Sequence, residues 1–130
     1  MSNANDLPVL SDAQWEIMNL IWERGESTVA DVWNVLHERR GVSRNTVQTL
    51  IARLEEKGWL ARHETGGSLL YAPTVSREKS QQSSVQHFVD TVFNGSAEGL
   101  VLTLLNGKSL SPDEADRIRQ LIAAAKRRKS

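Results

Sequence analysis

The chain has 130 residues, 39% of them hydrophobic and 25% charged, and its 16 basic and 16 acidic side chains give a formal net charge of zero. That length holds one ordinary domain or two small ones. Cysteine is absent, which excludes disulfides, thiolate metal sites and cysteine nucleophiles together.

No run approaches the roughly 18 apolar residues of a membrane span. The N-terminal MSNANDLP has no basic region followed by an apolar segment. No membrane insertion and a cytoplasmic location are therefore expected, with residues 1–9 as a disordered arm. The zero net charge hides an asymmetry. Residues 1–75 carry seven Lys/Arg against ten Asp/Glu, a net of −3, and residues 76–130 carry nine against six, a net of +3. Within the acidic half, positive charge is concentrated at Arg39, Arg40, Arg44, Arg53, Lys57 and Arg62. Phosphate attraction depends on such local charge rather than on the total.

Ser11-Asp12-Ala13-Gln14 is a capping box, and Leu10 with Trp15 forms the matching hydrophobic staple. The helix that follows carries Trp15, Ile17, Met18, Leu20, Ile21 and Trp22, apolar around much of its circumference, so it is expected to be the central buried helix. Gly25 stops it. Thr28 with Asp31 opens a second helix, whose core face is Val29, Val32, Val35 and Leu36 and which ends at Gly41.

The third helix begins at Ser43, which can accept a backbone N–H bond, and Gly58 can end it with positive φ. Val47, Leu50, Ile51 and Leu54 recur at i, i+3, i+4 and i+7, which places them on one face. Asn45, Thr49, Ala52 and Arg53 occupy the opposite face, flanked by Arg44, Thr46 and Gln48. Small, hydrogen-bonding and cationic groups on one helix face suit base edges and phosphates in a major groove.

Beyond Trp59 the period changes. Trp59–Glu64 and Leu69–Pro73 are β-compatible runs separated by Thr65-Gly66-Gly67-Ser68, the pattern of a β-hairpin. Pro73 cannot donate to a ladder, so the second strand is an edge or ends there. Arg62 and Tyr71 are open between packing the hairpin and contacting a phosphate backbone.

From Ser76 to Gln86 the sequence reads as a helix that is polar all round and bridges two modules. An apolar face begins only at Val85, Phe88, Val89, Val92 and Phe93. Ser96 caps a short apolar helix containing Leu100, Val101, Leu102, Leu104 and Leu105, and Gly107 closes it. Ser111-Pro112-Asp113-Glu114 starts the last helix, with Ala115, Ile118, Leu121, Ile122 and Ala125 in one stripe. About 55 residues rarely supply a sufficient core alone. A second copy is the expected cover, with Phe88, Val92, Leu100, Leu104, Ile118, Leu121 and Ile122 at the contact.

The expected fold is mainly α: a winged helix-turn-helix of three helices and a two-stranded β-hairpin over 10–75, then a three-helix dimerisation domain over 76–130. No Ser/His/Asp constellation with a nucleophile elbow is present, and no glycine-rich phosphate loop follows a strand. His37, His63 and His87 fall on different elements without metal-ligand spacing. The chain is read as neither an enzyme nor a holder of a metal or cofactor.

Three stretches carry a resemblance: LSDAQWEIMNLIWERGESTVADV, SRNTVQTLIARLEEKGWLARHETGGSLLYAPTVSREK and, mainly in pattern, LVLTLLNGKSLSPDEADRIRQLI. Together they resemble the penicillinase-repressor (BlaI/MecI/CopY) family over nearly the whole chain. The resemblance implies a dimeric bacterial repressor of β-lactamase or related genes, bound to an inverted-repeat operator in duplex DNA. It places Asn45, Thr46, Gln48, Thr49 and Arg53 where the family's recognition helix meets DNA. In the family's β-lactam-responsive branch a membrane sensor protease system leads to cleavage at an Asn-Phe bond; Thr103-Leu104 stands at that position here, so the recognised cleavage sequence is missing. The family's copper-responsive branch uses a cysteine cluster, which this chain lacks. The alternative reading, motivated by the acidic first half, is a winged-helix protein-interaction module without an operator.

Overall fold

The computed structural model describes residues 7–128. Among them are helices α1 (Asp12–Arg24), α2 (Val29–Arg40) and α3 (Arg44–Glu56), strands β1 (Leu60–Thr65) and β2 (Ser68–Pro73), and helices α4 (Arg77–Val92), α5 (Ala97–Asn106) and α6 (Pro112–Arg128). The chain divides into two compact units between Val85 and Gln86, inside α4. The first turns of α4 thus group with the helices and hairpin that precede them.

In the first unit the caps are those the sequence specifies. Ser11 and Gln14 exchange side-chain bonds with each other's backbone N–H, as do Thr28 and Asp31. Ser43 caps α3 by accepting from the Thr46 N–H. Each such cap stabilises its helix by about 1 kcal/mol. Three apolar stripes then meet. α1 buries Ile17, Met18, Leu20 and Ile21; α2 buries Val32 and Leu36; α3 buries Val47, Ile51 and Leu54. Trp59 and Leu60, just after α3, complete the cluster.

The tryptophans of this core are structural. Trp15, Trp22 and Trp59 lie with ring centroids 5.9, 6.3 and 6.4 Å apart. Buried indoles need a partner for their N–H. Trp22 Nε1 donates to the Val75 carbonyl at 3.0 Å and Trp59 Nε1 to the Pro8 carbonyl at 2.9 Å. The expected disordered arm is therefore corrected at its inner end, since Leu7 also packs on the core; residues 1–6 of that arm lie outside the described residues. The same packing constrains Gly58. Its φ is +89°, and a Cβ there would meet Leu7 Cδ2 at 3.1 Å.

The hairpin is antiparallel, with Leu60 opposite Pro73 and Thr65 opposite Ser68. Only Gly66 and Gly67 remain for the loop, with φ of +57° and +82°. Positive φ at both central residues is the requirement of a type I′ turn, which glycine meets without strain. β2 is also held on its other side, where Ser27 and Tyr71 exchange backbone bonds of 3.1 and 2.8 Å.

One polar side chain at the start of α4 is buried. Ser80 is 1% exposed, and its hydroxyl donates to the Ser76 carbonyl at 2.7 Å. In the second unit, by contrast, Val89 is the only buried side chain among the described residues, and Phe88 packs on Phe93 at 5.7 Å. Ser96 caps α5 through the Gly99 N–H, and the Ser111 hydroxyl accepts from the Glu114 N–H. Neither α5 nor α6 buries a residue. No single helix among the described residues is long and apolar enough to cross a membrane.

Candidate nucleic-acid interface

α3 has two unlike faces because its apolar positions are spaced for the core. With Val47, Ile51 and Leu54 turned inward, Arg44, Asn45, Thr46, Gln48, Thr49, Ala52 and Arg53 are all exposed. Ser43 is exposed too, but its hydroxyl is committed. It accepts from Thr46 N at 3.2 Å and donates to Thr46 Oγ1 at 2.9 Å. Ser43 thus orients Thr46 rather than reaching outward. Ser43→Ala is expected to cost about 1 kcal/mol of stability, read as a lower urea midpoint; an unchanged midpoint would show that the cap is idle.

The cationic cluster of the sequence is reduced in the structure. Arg40 donates twice to Glu16, from Nη2 at 2.7 Å and Nε at 3.2 Å, and Arg39 approaches the same carboxylate at 3.9 Å. The hydrogen bond to Glu16, and then its charge, holds the Arg40 guanidinium above its ordinary pKa. Lys57 Nζ donates to the buried Gln14 Oε1 at 3.1 Å. Arg62 Nε pairs with Glu55 at 3.2 Å. Arg44 and Arg53 remain on the outward face of α3 without an acidic partner among the described residues. Arg44 is nevertheless placed: its Cζ lies 5.9 Å from the centroid of the Trp33 ring.

Between α3 and the hairpin lies an open groove of about 670 Å³, lined by Arg44, Gln48, Ala52, Arg62, Ser68 and Leu69 among others. Arg62 belongs to it with an exposed side chain. Tyr71 lines the groove as well. It is 8% exposed and packs in the hydrophobic core, with its remaining surface on that groove. Its backbone bridge to Ser27 ties β2 to the segment that precedes α2. His63 Nε2 meets Glu26 at 2.9 Å, and His37 Nδ1 lies 3.3 Å from the Val42 carbonyl.

Comparison with known proteins agrees with this geometry. The penicillinase repressor family matches residues 10–124. The penicillinase repressor of Bacillus licheniformis is 29% identical over 123 residues, 95% of this chain and 96% of that protein. Among solved structures, monomeric Bacillus licheniformis BlaI in complex with the blaP half-operator superposes with a TM-score of 0.51 at 31% identity. That match covers 57% of this chain and 90% of the BlaI chain. Oxidised MarR from E. coli shares the fold, with a TM-score of 0.53 at 21% identity over 89% of this chain and 75% of its own. An exposed polar face on a core-anchored α3, a glycine-tipped wing and a match spanning both units together show that this chain belongs to the penicillinase repressor family.

Proposed function

We propose that the chain is a homodimeric transcriptional repressor that binds an inverted-repeat operator in duplex DNA, with each α3 entering a major groove and the wing alongside. The observation that carries this reading is the outward face of α3, whose Arg44, Asn45, Thr46, Gln48, Thr49 and Arg53 are exposed while the helix itself is fixed by its buried face. BlaI bound to a half-operator supports it by likeness. Arg44 and Arg53 are the cations without an acidic partner on that face, and the Arg62–Glu55 pair is exposed and weak enough to exchange for a phosphate. The acidic total of the first 75 residues does not decide the matter, because phosphate attraction depends on the local charge at α3. Operator binding places the protein in the cytoplasm. A membrane sensor protease as the releasing partner rests on the family resemblance; Thr103 and Leu104 lie within α5, and both are exposed.

The test is selection of genomic promoter fragments by purified protein. An enriched inverted repeat is expected, its half-sites about one helical turn or a multiple apart. The logarithm of affinity should fall linearly with the logarithm of salt concentration. Arg53→Ala is expected to weaken the selected site by roughly 1–3 kcal/mol and to relax preference at one base pair, provided Arg53 reads a base edge. If no repeat is enriched and a protein competing at α3 is captured instead, the interaction-module reading replaces this one.

A further inference from the structure

Trp33 stands outside the expected base-facing set, yet the structure ties it to that set. It lies on α2, half-buried, with Arg44 of α3 over its ring at 5.9 Å. His37, one turn further along α2, stacks on the same indole with centroids 5.1 Å apart. His37 Nδ1 in turn lies 3.3 Å from the carbonyl of Val42, the residue before the α3 cap. One aromatic cluster therefore spans the α2–α3 connection and ends on a cation of the outward face.

The indole is an odd choice for packing alone. Trp33 Nε1 is buried without a hydrogen-bond partner among the described residues. A buried donor left unpaired is destabilising, and Leu or Phe fills apolar space without that cost. Trp does offer the strongest ring face for a cation. A cation held over a ring face spends none of its N–H donors on a fixed acceptor. An arginine held in this way loses less side-chain freedom when it meets a phosphate or a guanine edge.

We propose that Trp33 is a positioning residue for DNA binding, which holds Arg44 in a ready orientation at the start of α3. The inference rests on the operator-binding reading and adds to it a residue that touches no DNA. Arg53 has no ring partner among the described residues, so the two outward arginines differ in preorganisation.

The test is a double-mutant cycle on a selected operator fragment, measured from low to moderate salt. Arg44→Gln is expected to reduce the salt slope by about 0.9, the effect of one lost phosphate contact. Trp33→Leu is expected to weaken binding about two- to fivefold, and Trp33→Phe to recover part of that loss. In the Arg44→Gln background, Trp33→Leu should have no further effect. If the two losses simply multiply, Trp33 is structural and the inference is overturned. The free wild-type protein gives a second readout that does not depend on whether a variant folds. The Arg44 side-chain protons should be shifted upfield by the indole ring current, and unshifted resonances would overturn the proposal. Failure of the wild type to retain any duplex at low salt defeats the operator reading itself. Tight wild-type binding with multiplicative losses defeats only the role of Trp33.

Discussion

A chain carrying both Leu121→Glu and Ile122→Glu is expected to sediment at about the 14.5 kDa of a single chain, while the unaltered protein sediments at about twice that mass at micromolar concentration. The reason lies in the second unit. Leu121 is 68% exposed and Ile122 57% exposed, and Phe88, Val92, Val101, Leu102, Leu104 and Leu105 are exposed with them. Solvated monomers rarely leave so many large apolar side chains exposed on three short helices. A second copy is the cover proposed for them, and a twofold dimer would also match an inverted-repeat operator. Two carboxylates placed at that contact become buried charges without partners, which costs several kcal/mol per ion. Losing the dimer separates two DNA-binding units, and affinity for the full operator should fall about 10²- to 10⁴-fold with no contact to DNA changed. All four tryptophans lie in the first unit, so an unaltered tryptophan emission spectrum will show that the winged helix is intact. A wild-type mass of one chain, or full operator affinity in the variant, would sink the dimer.

Much of the first unit is legible because its determinants are local. Ser11 with Gln14, Thr28 with Asp31, and Ser43 with Thr46 each act over three residues. The paired glycines at 66 and 67 fix the hairpin through their own backbone. What escaped the sequence depends on contacts far apart in the chain. Arg40 and Glu16 are 24 residues apart, and Trp59 and Pro8 are 51 apart. No periodicity reports such pairs, so the cationic cluster read larger than it is and the N-terminal arm read looser. Tyr71 shows the same limit. Alternation along β2 puts Leu69 and Tyr71 on one face, but Leu69 is exposed near the tip while Tyr71, bridged to Ser27, is buried. The outward face of α3 was readable for the opposite reason: its inward face is a strict helical repeat, and the remainder follows by geometry.

That division of α3 leads to a second large expected effect, on stability rather than on affinity. Ile51 is 1% exposed and packs within the cluster formed by Ile17, Ile21, Leu36, Val47 and Leu54. Ile51→Ala removes three carbons from a site enclosed by rigid neighbours on all three helices. A loss of about 2–5 kcal/mol is expected from lost transfer energy and the residual cavity. Set against a total stability of about 5–15 kcal/mol for a small domain, that is a large share. Tryptophan fluorescence isolates the first unit, and its urea midpoint should fall by roughly 1–3 M. Gln48→Ala, on the exposed face of the same helix, should leave the midpoint within about 0.5 kcal/mol of the wild type. Gln48→Ala should act on operator affinity instead. The two substitutions are therefore expected to separate cleanly, one in folding and one in binding. A Gln48→Ala destabilisation as large as that of Ile51→Ala would mean that α3 is not oriented as described, and the groove-facing assignment of Asn45, Thr49 and Arg53 would fall with it.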